Sequence, residues 1–259
     1  MKNAFVYLID FLALQLIGGY LVKNIWQLVA GSADTTTAML VTMSATVSLL
    51  TIALFLLTRW TAVSPTWLRT RPWSVLAWSV VAALGLVIPS AWLQEQMPEL
   101  PNLMTDEFEM LLQDRWGYAV IGLLAPLSEE IVFRGAILKS LLQSGRLPVW
   151  GAIALSALLF AVVHMNPVQM PHAFAIGLLL GWMYWRTGSI LPGMAYHWAN
   201  NSVAYVVSNV YPDPDITLAD IFRGSQSHVY MAVAFSLLIV LPALYQLNLW
   251  MKRADEPAA

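Results

Sequence analysis

The sequence predicts an all-α membrane protein, polytopic, with about eight transmembrane helices. Apolar residues make up 59% of the 259-residue chain and charged residues only 11%, whereas soluble domains carry about 25% charged residues. The chain has 12 Trp and 9 Tyr, residue types that concentrate at the two membrane interfaces. It has no Cys, which excludes disulfides, thiolate zinc sites and a cysteine nucleophile.

Eight apolar segments define the predicted spans, because about 20 helical residues are needed to cross roughly 30 Å of hydrocarbon. The first is too long and too polar for the apolar core of a signal peptide, since it includes Asp10, Gln15 and Lys23. Asp10 is a functional candidate by its position in this span, but we expect it rather to face a polar group on a neighbouring helix. The predicted spans are residues 4–30, 37–58, 73–93, 117–140, 148–165, 171–186, 189–209 and 228–250.

The fourth span is interrupted by Pro126. Proline has no N–H and therefore leaves a backbone carbonyl without its helical partner. Within a membrane this is tolerated only where protein or a water-filled cavity satisfies the carbonyl. The fourth helix is therefore predicted to line a cavity rather than to face lipid.

Basic residues are distributed unequally between the two sets of loops, which predicts that both termini are cytoplasmic. No basic surface of the kind that binds nucleic acid is present, so no nucleic-acid partner is expected. With this orientation the cytoplasmic side contains Lys2, Arg59, Arg69, Arg71, Lys139, Arg146, Arg186, Lys252 and Arg253. The opposite side contains Lys23, Arg115 and Arg223.

Four regions are predicted along the chain. Residues 1–116 form three N-terminal transmembrane helices and an external loop, and residues 117–209 form the core with helices four to seven. Residues 210–250 form a second external loop and the eighth helix, and residues 251–259 form a disordered tail, since they are polar and lack periodicity.

Three charged side chains, Glu129, Glu130 and Arg134, lie in the interior of the fourth span. A charge at the bilayer centre costs at least about 2.5 kcal/mol on insertion scales, so such residues usually have a function. Glu130 and Arg134 are four residues apart, so on a helix they share a face and are predicted to form an ion pair. Glu129 points about 100° away on the same helix. We expect it to be free to act as a general base.

Two later spans add histidines with the same helical spacing. Phe160 precedes His164 by one turn, and His197 precedes Asn201 by one turn. Imidazole and amide N–H groups can stabilise a developing oxyanion. Alternatively, Glu129 and the two histidines could bind zinc, since two His and one carboxylate form a known zinc-hydrolase ligand set. Each feature alone is more often structural, but three such motifs within apolar spans predict a hydrolytic site inside the helix bundle.

Together these motifs resemble the signature of the CPBP family of intramembrane endopeptidases, also called the Abi or CAAX-protease family. That signature is Glu-Glu-x-x-x-Arg, then Phe-x-x-x-His, then His-x-x-x-Asn or Asp. The resemblance covers about residues 117–205 and includes the flanking Pro126 and the run Ser-Ile-Leu-Pro-Gly at 189–193. The family is similar to the eukaryotic CAAX prenyl endopeptidases, which remove the last three residues of prenylated proteins.

The resemblance implies four catalytic residues. Glu129 and His164 would activate a water molecule, and His197 and Asn201 would hold the oxyanion. The substrate would be a membrane-associated or lipidated protein or peptide, and the lipid bilayer of a bacterial cytoplasmic membrane would surround the enzyme. The supporting residues would be Glu130, Arg134 and Phe160.

Three alternatives stay open at this point. The first is a zinc-dependent version of the same protease, with Glu129, His164 and His197 as ligands, although a His-Glu-x-x-His motif is absent. The second is a non-proteolytic immunity or regulatory scaffold of the same fold. The third is a transporter that uses the buried Glu and His to relay protons, but no inverted repeat of the kind transporters show is evident.

Overall fold

The computed structural model describes residues 1–31, 34–61, 73–103, 106–213 and 216–252, and it has no β-strand within these ranges. The all-α prediction is confirmed. The helices are α1 (Lys2–Ala30), α2 (Thr37–Leu57), α3 (Trp73–Glu95), α4 (Asp106–Gln113), α5 (119–143), α6 (Val149–Val162), α7 (Met170–Thr187), α8 (Leu191–Val210), α9 (Leu218–Ile221) and α10 (Gln226–Trp250).

Each of the eight predicted spans coincides with one of the longer helices. Helices α1, α2, α3 and α10 are long and apolar enough to cross a membrane, whereas α6 is apolar but only 14 residues long. These lengths agree with an all-α polytopic membrane protein. That all eight helices cross stays a prediction.

Local sequence signals set several helix ends. Thr36 caps α2, because its hydroxyl accepts a hydrogen bond from the N–H of Met39 at 3.2 Å. Helix α7 ends at Gly188, whose φ of 66° lies in the left-handed region that favours glycine. Gly177 on α7 permits close packing, since a Cβ there would lie 2.8 Å from the Cβ of Ala157 on α6.

Helix α5 lies at the centre of the bundle. The nine residues Glu130–Leu138 are all buried, and the helix packs against α1, α2, α6, α7 and α8. Helix α3 packs against α8 and α10 on one side, and α6 packs along α7 on another. The helix with the most charged motif is therefore the one most completely surrounded by protein.

Three stretches of the bundle are π-helical: Leu14–Gly18 in α1, and Ala119–Leu124 and Glu130–Leu138 in α5. In a π-helix the N–H of residue i bonds to the carbonyl of residue i−5. Such segments are rare and occur frequently at functional sites. Two of the three belong to the helix that carries the two glutamates.

The second stretch explains where the carbonyl freed by Pro126 finds its partner. The N–H of Ala125 bonds to the carbonyl of Val120, five residues earlier, so the next donor in that pattern would be the missing N–H of Pro126. The carbonyl of Ile121 instead accepts a hydrogen bond from Nδ2 of Asn201 at 3.1 Å. A protein side chain therefore satisfies the carbonyl that Pro126 leaves without its helical partner.

Two further expectations differ from the structure. Met251, predicted to begin the disordered tail, is buried, and its carbonyl accepts a hydrogen bond from Arg186 at 3.3 Å. Residues 253–259 of that tail, like Arg69 and Arg71, lie outside the described residues. Asp10 is half-buried on α1, but no hydrogen bond or ion pair from its side chain occurs within the described part of the chain.

Candidate active site

The imidazole of His197 lies between the two adjacent carboxylates of α5. Its Nδ1 is 3.1 Å from Oε1 of Glu130, and its Nε2 is 3.5 Å from Oε2 of Glu129. Glu130 is completely buried, whereas the side chain of Glu129 is 22% exposed. The structure therefore brings the first and third motifs into direct contact, with Glu129 on the accessible side.

Glu130 also forms the predicted ion pair with Arg134. Nη1 of Arg134 donates to Oε1 of Glu130 at 2.7 Å, and both side chains are at most 1% exposed. The guanidinium donates from Nη2 to the carbonyl of Gly177 at 3.4 Å, and its Cζ lies 4.4 Å from the ring centroid of Phe160. A buried charge without such partners would be strongly destabilising. Glu130 therefore holds His197 and Arg134 through one oxygen.

The other carboxylate oxygen of Glu130 is enclosed by backbone. Oε2 has no hydrogen-bond partner among the described residues, and a Cβ placed on Gly193 would lie 2.7 Å from it. Any side chain at position 193 would therefore press on this carboxylate. Gly193 on α8 is one of the residues that the flanking-sequence resemblance included.

The aromatic ring of Phe160 connects the two histidines. It meets the ring of His164 edge-on at 4.8 Å and the ring of His197 edge-on at 5.7 Å. Phe133 on α5 packs against its other side at 5.2 Å. These contacts restrict the rotation of both imidazoles, which explains why a bulky ring is found one turn before His164.

His164 lies in the turn that follows α6, not inside the helix as its place in the predicted span 148–165 implied. Helix α6 ends at Val162, and Nδ1 of His164 lies 2.8 Å from the carbonyl of Phe160. A carbonyl only accepts, so Nδ1 carries the hydrogen, and in the neutral ring Nε2 then has the free lone pair. Met165 then adopts a positive φ of 51°, a conformation uncommon for non-glycine residues.

One cavity of about 450 Å³ is lined by all four residues predicted to be catalytic: Glu129, His164, His197 and Asn201. We call it the catalytic cavity. A second cavity of about 360 Å³ extends from Glu129 and His164 towards α1 and α2, and we call it the side cavity. Glu129 and His164 therefore lie where the two cavities meet.

Sequence reasoning missed several residues of the catalytic cavity. Asn166 is buried and polar, and its position two residues after His164 was a usable signal. Its Oδ1 accepts a hydrogen bond from the N–H of Leu103 at 3.0 Å, and its Nδ2 donates to Asn102 at 2.9 Å. Asn166 therefore holds the segment before α4 against the catalytic cavity. The other lining residues are Leu103, Phe108, Ile121, Ala125, Met165 and Gln169.

The described residues contain no group of three His, Asp or Glu side chains arranged to hold a metal ion. His197 has a carboxylate near each ring nitrogen, and Nδ1 of His164 is occupied by a backbone carbonyl. Zinc dependence stays a prediction, and no step proposed below passes through a metal.

The fold and the site together define a helical membrane protein with a cluster of two Glu, two His and one Asn inside the helix bundle. Residues 112–203 match the family model described as type II CAAX prenyl endopeptidase Rce1-like. This match confirms the resemblance drawn from the motifs, and that segment is similar to the Rce1-like CAAX endopeptidases. No curated protein and no solved structure matches the chain.

Proposed function

We propose that this protein is an intramembrane endopeptidase in which Glu129 and His164 activate the water molecule that hydrolyses a peptide bond. The observation that carries the proposal is the shared cavity. Glu129, His164, His197 and Asn201 come from three separate helical regions and line the same space of about 450 Å³. An acyl-transfer site needs a base and oxyanion donors around one reacting atom.

The hydrogen-bonding capacity of Glu129 and His164 fits a bound water. The carboxylate of Glu129 only accepts, and Nε2 of His164 has a free lone pair because its Nδ1 faces a carbonyl. One water can donate a hydrogen to each of them and direct an oxygen lone pair at the substrate carbonyl carbon. Glu129 then takes the proton as the C–O bond forms, and it returns this proton to the amine nitrogen as the C–N bond breaks.

His197 and Asn201 are proposed to stabilise the oxyanion. Because Nδ1 of His197 faces Glu130 at 3.1 Å, the ring atom that can donate to the oxyanion is Nε2, in the ring form that carries a hydrogen there. Asn201 uses one N–H on the carbonyl of Ile121 at 3.1 Å and has a second N–H for the substrate. Arg134 and Phe160 keep Glu130 and the two imidazoles in place.

The surroundings of the site suggest the substrate class and the topology. We propose a membrane-associated or lipidated protein as substrate, because the cavities lie among apolar helices. The excess of Lys and Arg in one set of loops supports both termini on the cytoplasmic side and an even number of crossings. We propose eight crossings of a bacterial cytoplasmic membrane. The limits of the first three regions, 1–116, 117–209 and 210–250, are retained as part of this proposal.

The test is cleavage of a panel of quenched fluorescent peptides, with and without a lipid anchor, by purified protein in detergent. Wild type is compared with Glu129→Ala and His164→Ala, each with and without a chelator. Glu99→Ala and His228→Ala, at exposed positions outside both cavities, serve as matched controls. We expect cleavage by wild type and both controls, loss in both site variants, and no effect of the chelator.

Other outcomes would replace the proposal with one of its alternatives. Loss of activity with chelator and recovery with zinc would make Glu129, His164 and His197 metal ligands. The non-proteolytic scaffold would be favoured if wild type cleaved no peptide and both site variants kept full activity in a cellular assay.

A further inference from the structure

The side cavity borders the proposed catalytic water, and one of its walls is formed by α1 and α2, which lie outside the matched family segment. Its walls include Phe11, Leu16 and Gly19 of α1 and Val47 of α2, and it ends at Glu129. Because Glu129 and His164 line both cavities, a peptide bond held between them would extend into each. One side of the scissile bond would therefore lie in the side cavity.

Polar side chains also line this mainly apolar space. Gln15 comes from α1, and Ser44 and Ser48 come from α2, one turn apart. None of these three side chains makes a hydrogen bond to any described residue. Ser48 is buried and Ser44 is half-buried, whereas Gln15 is exposed. Because an unpaired polar group is costly in surroundings of low dielectric constant, a ligand that supplies donors and acceptors would bind well beside the two serines.

The wall formed by α1 is itself irregular. Gln15 and Leu16 belong to the π-helical stretch Leu14–Gly18, a geometry found frequently at functional sites. Leu16 is 65% exposed on the outside of the bundle and also lines the cavity. The cavity therefore reaches the surface of α1 that faces the lipid, which gives an apolar segment a direct path from the bilayer.

We propose that the side cavity binds the peptide segment on one side of the scissile bond, with apolar side chains against Phe11, Leu16 and Val47. The peptide N–H and C=O groups would bond to Gln15, Ser44 and Ser48. A hydrocarbon lipid chain offers no such groups and would leave these three side chains unpaired, so the occupant is the polypeptide rather than an attached lipid. This inference rests on the proposed endopeptidase function.

The absence of Cys from the chain makes a direct binding test available. Ser44→Cys, placed in the Glu129→Gln background, introduces a single thiol whose rate of reaction with a small thiol reagent reports occupancy of the cavity. Thr42→Cys, at an exposed position of the same helix outside the cavity, is the control. The probes are a peptide with Leu on both sides of its centre, the same peptide with Asp instead, and N-acetyl-S-farnesylcysteine methyl ester.

We expect the Leu peptide to slow labelling of Ser44→Cys several-fold, and neither the Asp peptide nor the farnesyl compound to do so. Labelling of Thr42→Cys should not change with any probe. Protection by the farnesyl compound alone would overturn the proposal in favour of a lipid site, and the absence of protection by any probe would also overturn it. Because the thiol reaction needs no turnover, these outcomes are independent of whether wild type cleaves peptides.

A kinetic measurement adds a second, separate readout. Gln15→Leu should raise KM for the Leu peptide by about tenfold, the value of one hydrogen bond, with kcat unchanged. That pattern indicates lost binding shared by the ground state and the transition state. An unchanged KM would contradict the assignment of Gln15, whereas a change confined to kcat would place Gln15 in the chemistry instead of the binding of substrate.

Discussion

Removing either partner of the buried ion pair should strongly destabilise the protein. Glu130 and Arg134 are 0% and 1% exposed, and their charged atoms are 2.7 Å apart. Glu130→Gln leaves the guanidinium without its counter-charge, and an uncompensated buried charge costs about 3–5 kcal/mol of unfolding free energy. Arg134→Met also loses the contacts with Gly177 and Phe160, so we expect it at the upper end of that range.

The double variant Glu130→Gln/Arg134→Met distinguishes a buried pair from two independent contributions. It removes both charges of the pair together, so its cost should be lower than the sum of the single costs by about 2 kcal/mol. Equilibrium unfolding in detergent, followed by Trp fluorescence, measures all three. Glu99→Gln at an exposed position should stay within about 0.5 kcal/mol of wild type. Single costs below about 1 kcal/mol, or strict additivity, would refute the reasoning.

Three further changes test other parts of the account. Gly135→Ala should lower the free energy of unfolding by about 1–3 kcal/mol, because its Cβ would collide with the side chain of Thr61. Thr61→Ala added to the same chain should restore part of this stability, as measured by thermal unfolding. Phe160→Leu should reduce kcat about tenfold, because the ring contacts that orient both imidazoles are lost. An unchanged kcat would contradict this role of Phe160. The hydroxyl and N–H of Thr217 lower the pKa of Asp220 by donating hydrogen bonds to its carboxylate. The stability that these bonds add to the folded protein is therefore present at neutral pH and is lost as the pH falls through the lowered pKa. Thr217→Val should move the NMR titration of Asp220 to higher pH.

Helical periodicity was sufficient to predict contacts within one helix. The four-residue spacing of Glu130 and Arg134 predicted their ion pair, and the structure contains it. Pro126 predicted a freed carbonyl, and Asn201 binds one. Both predictions depend on local geometry, which the sequence determines directly.

Contacts between helices could not be predicted in the same way. The position of His197 between Glu129 and Glu130 depends on how α8 packs against α5, and sequence spacing carries no information about that packing. The turn that places Nδ1 of His164 against the carbonyl of Phe160 lies at the end of a helix, where boundaries are least predictable. The free Nε2 of His164, on which the proposed water site depends, was therefore hidden.

The π-helical stretches were equally hidden, because no residue pattern in α1 or α5 distinguishes them from ordinary apolar helix. They affect the site directly: Leu14–Gly18 supplies two residues of the side cavity, and Ala119–Leu124 supplies the carbonyl that binds Asn201. Gln15 was noted only as a polar residue in the first span. Its relation to the site required the packing of α1 beside α2.

The central claim is hydrolysis by a water molecule that Glu129 activates, and the most direct test is cleavage in ¹⁸O-labelled water followed by mass spectrometry of the products. We expect wild type to introduce ¹⁸O into the new C-terminal carboxyl group at one defined bond of a Leu-containing peptide. Glu129→Gln, which keeps the shape of the side chain but removes the base, should give no more product than a sample without protein. Equal labelled product from wild type and Glu129→Gln would contradict the account.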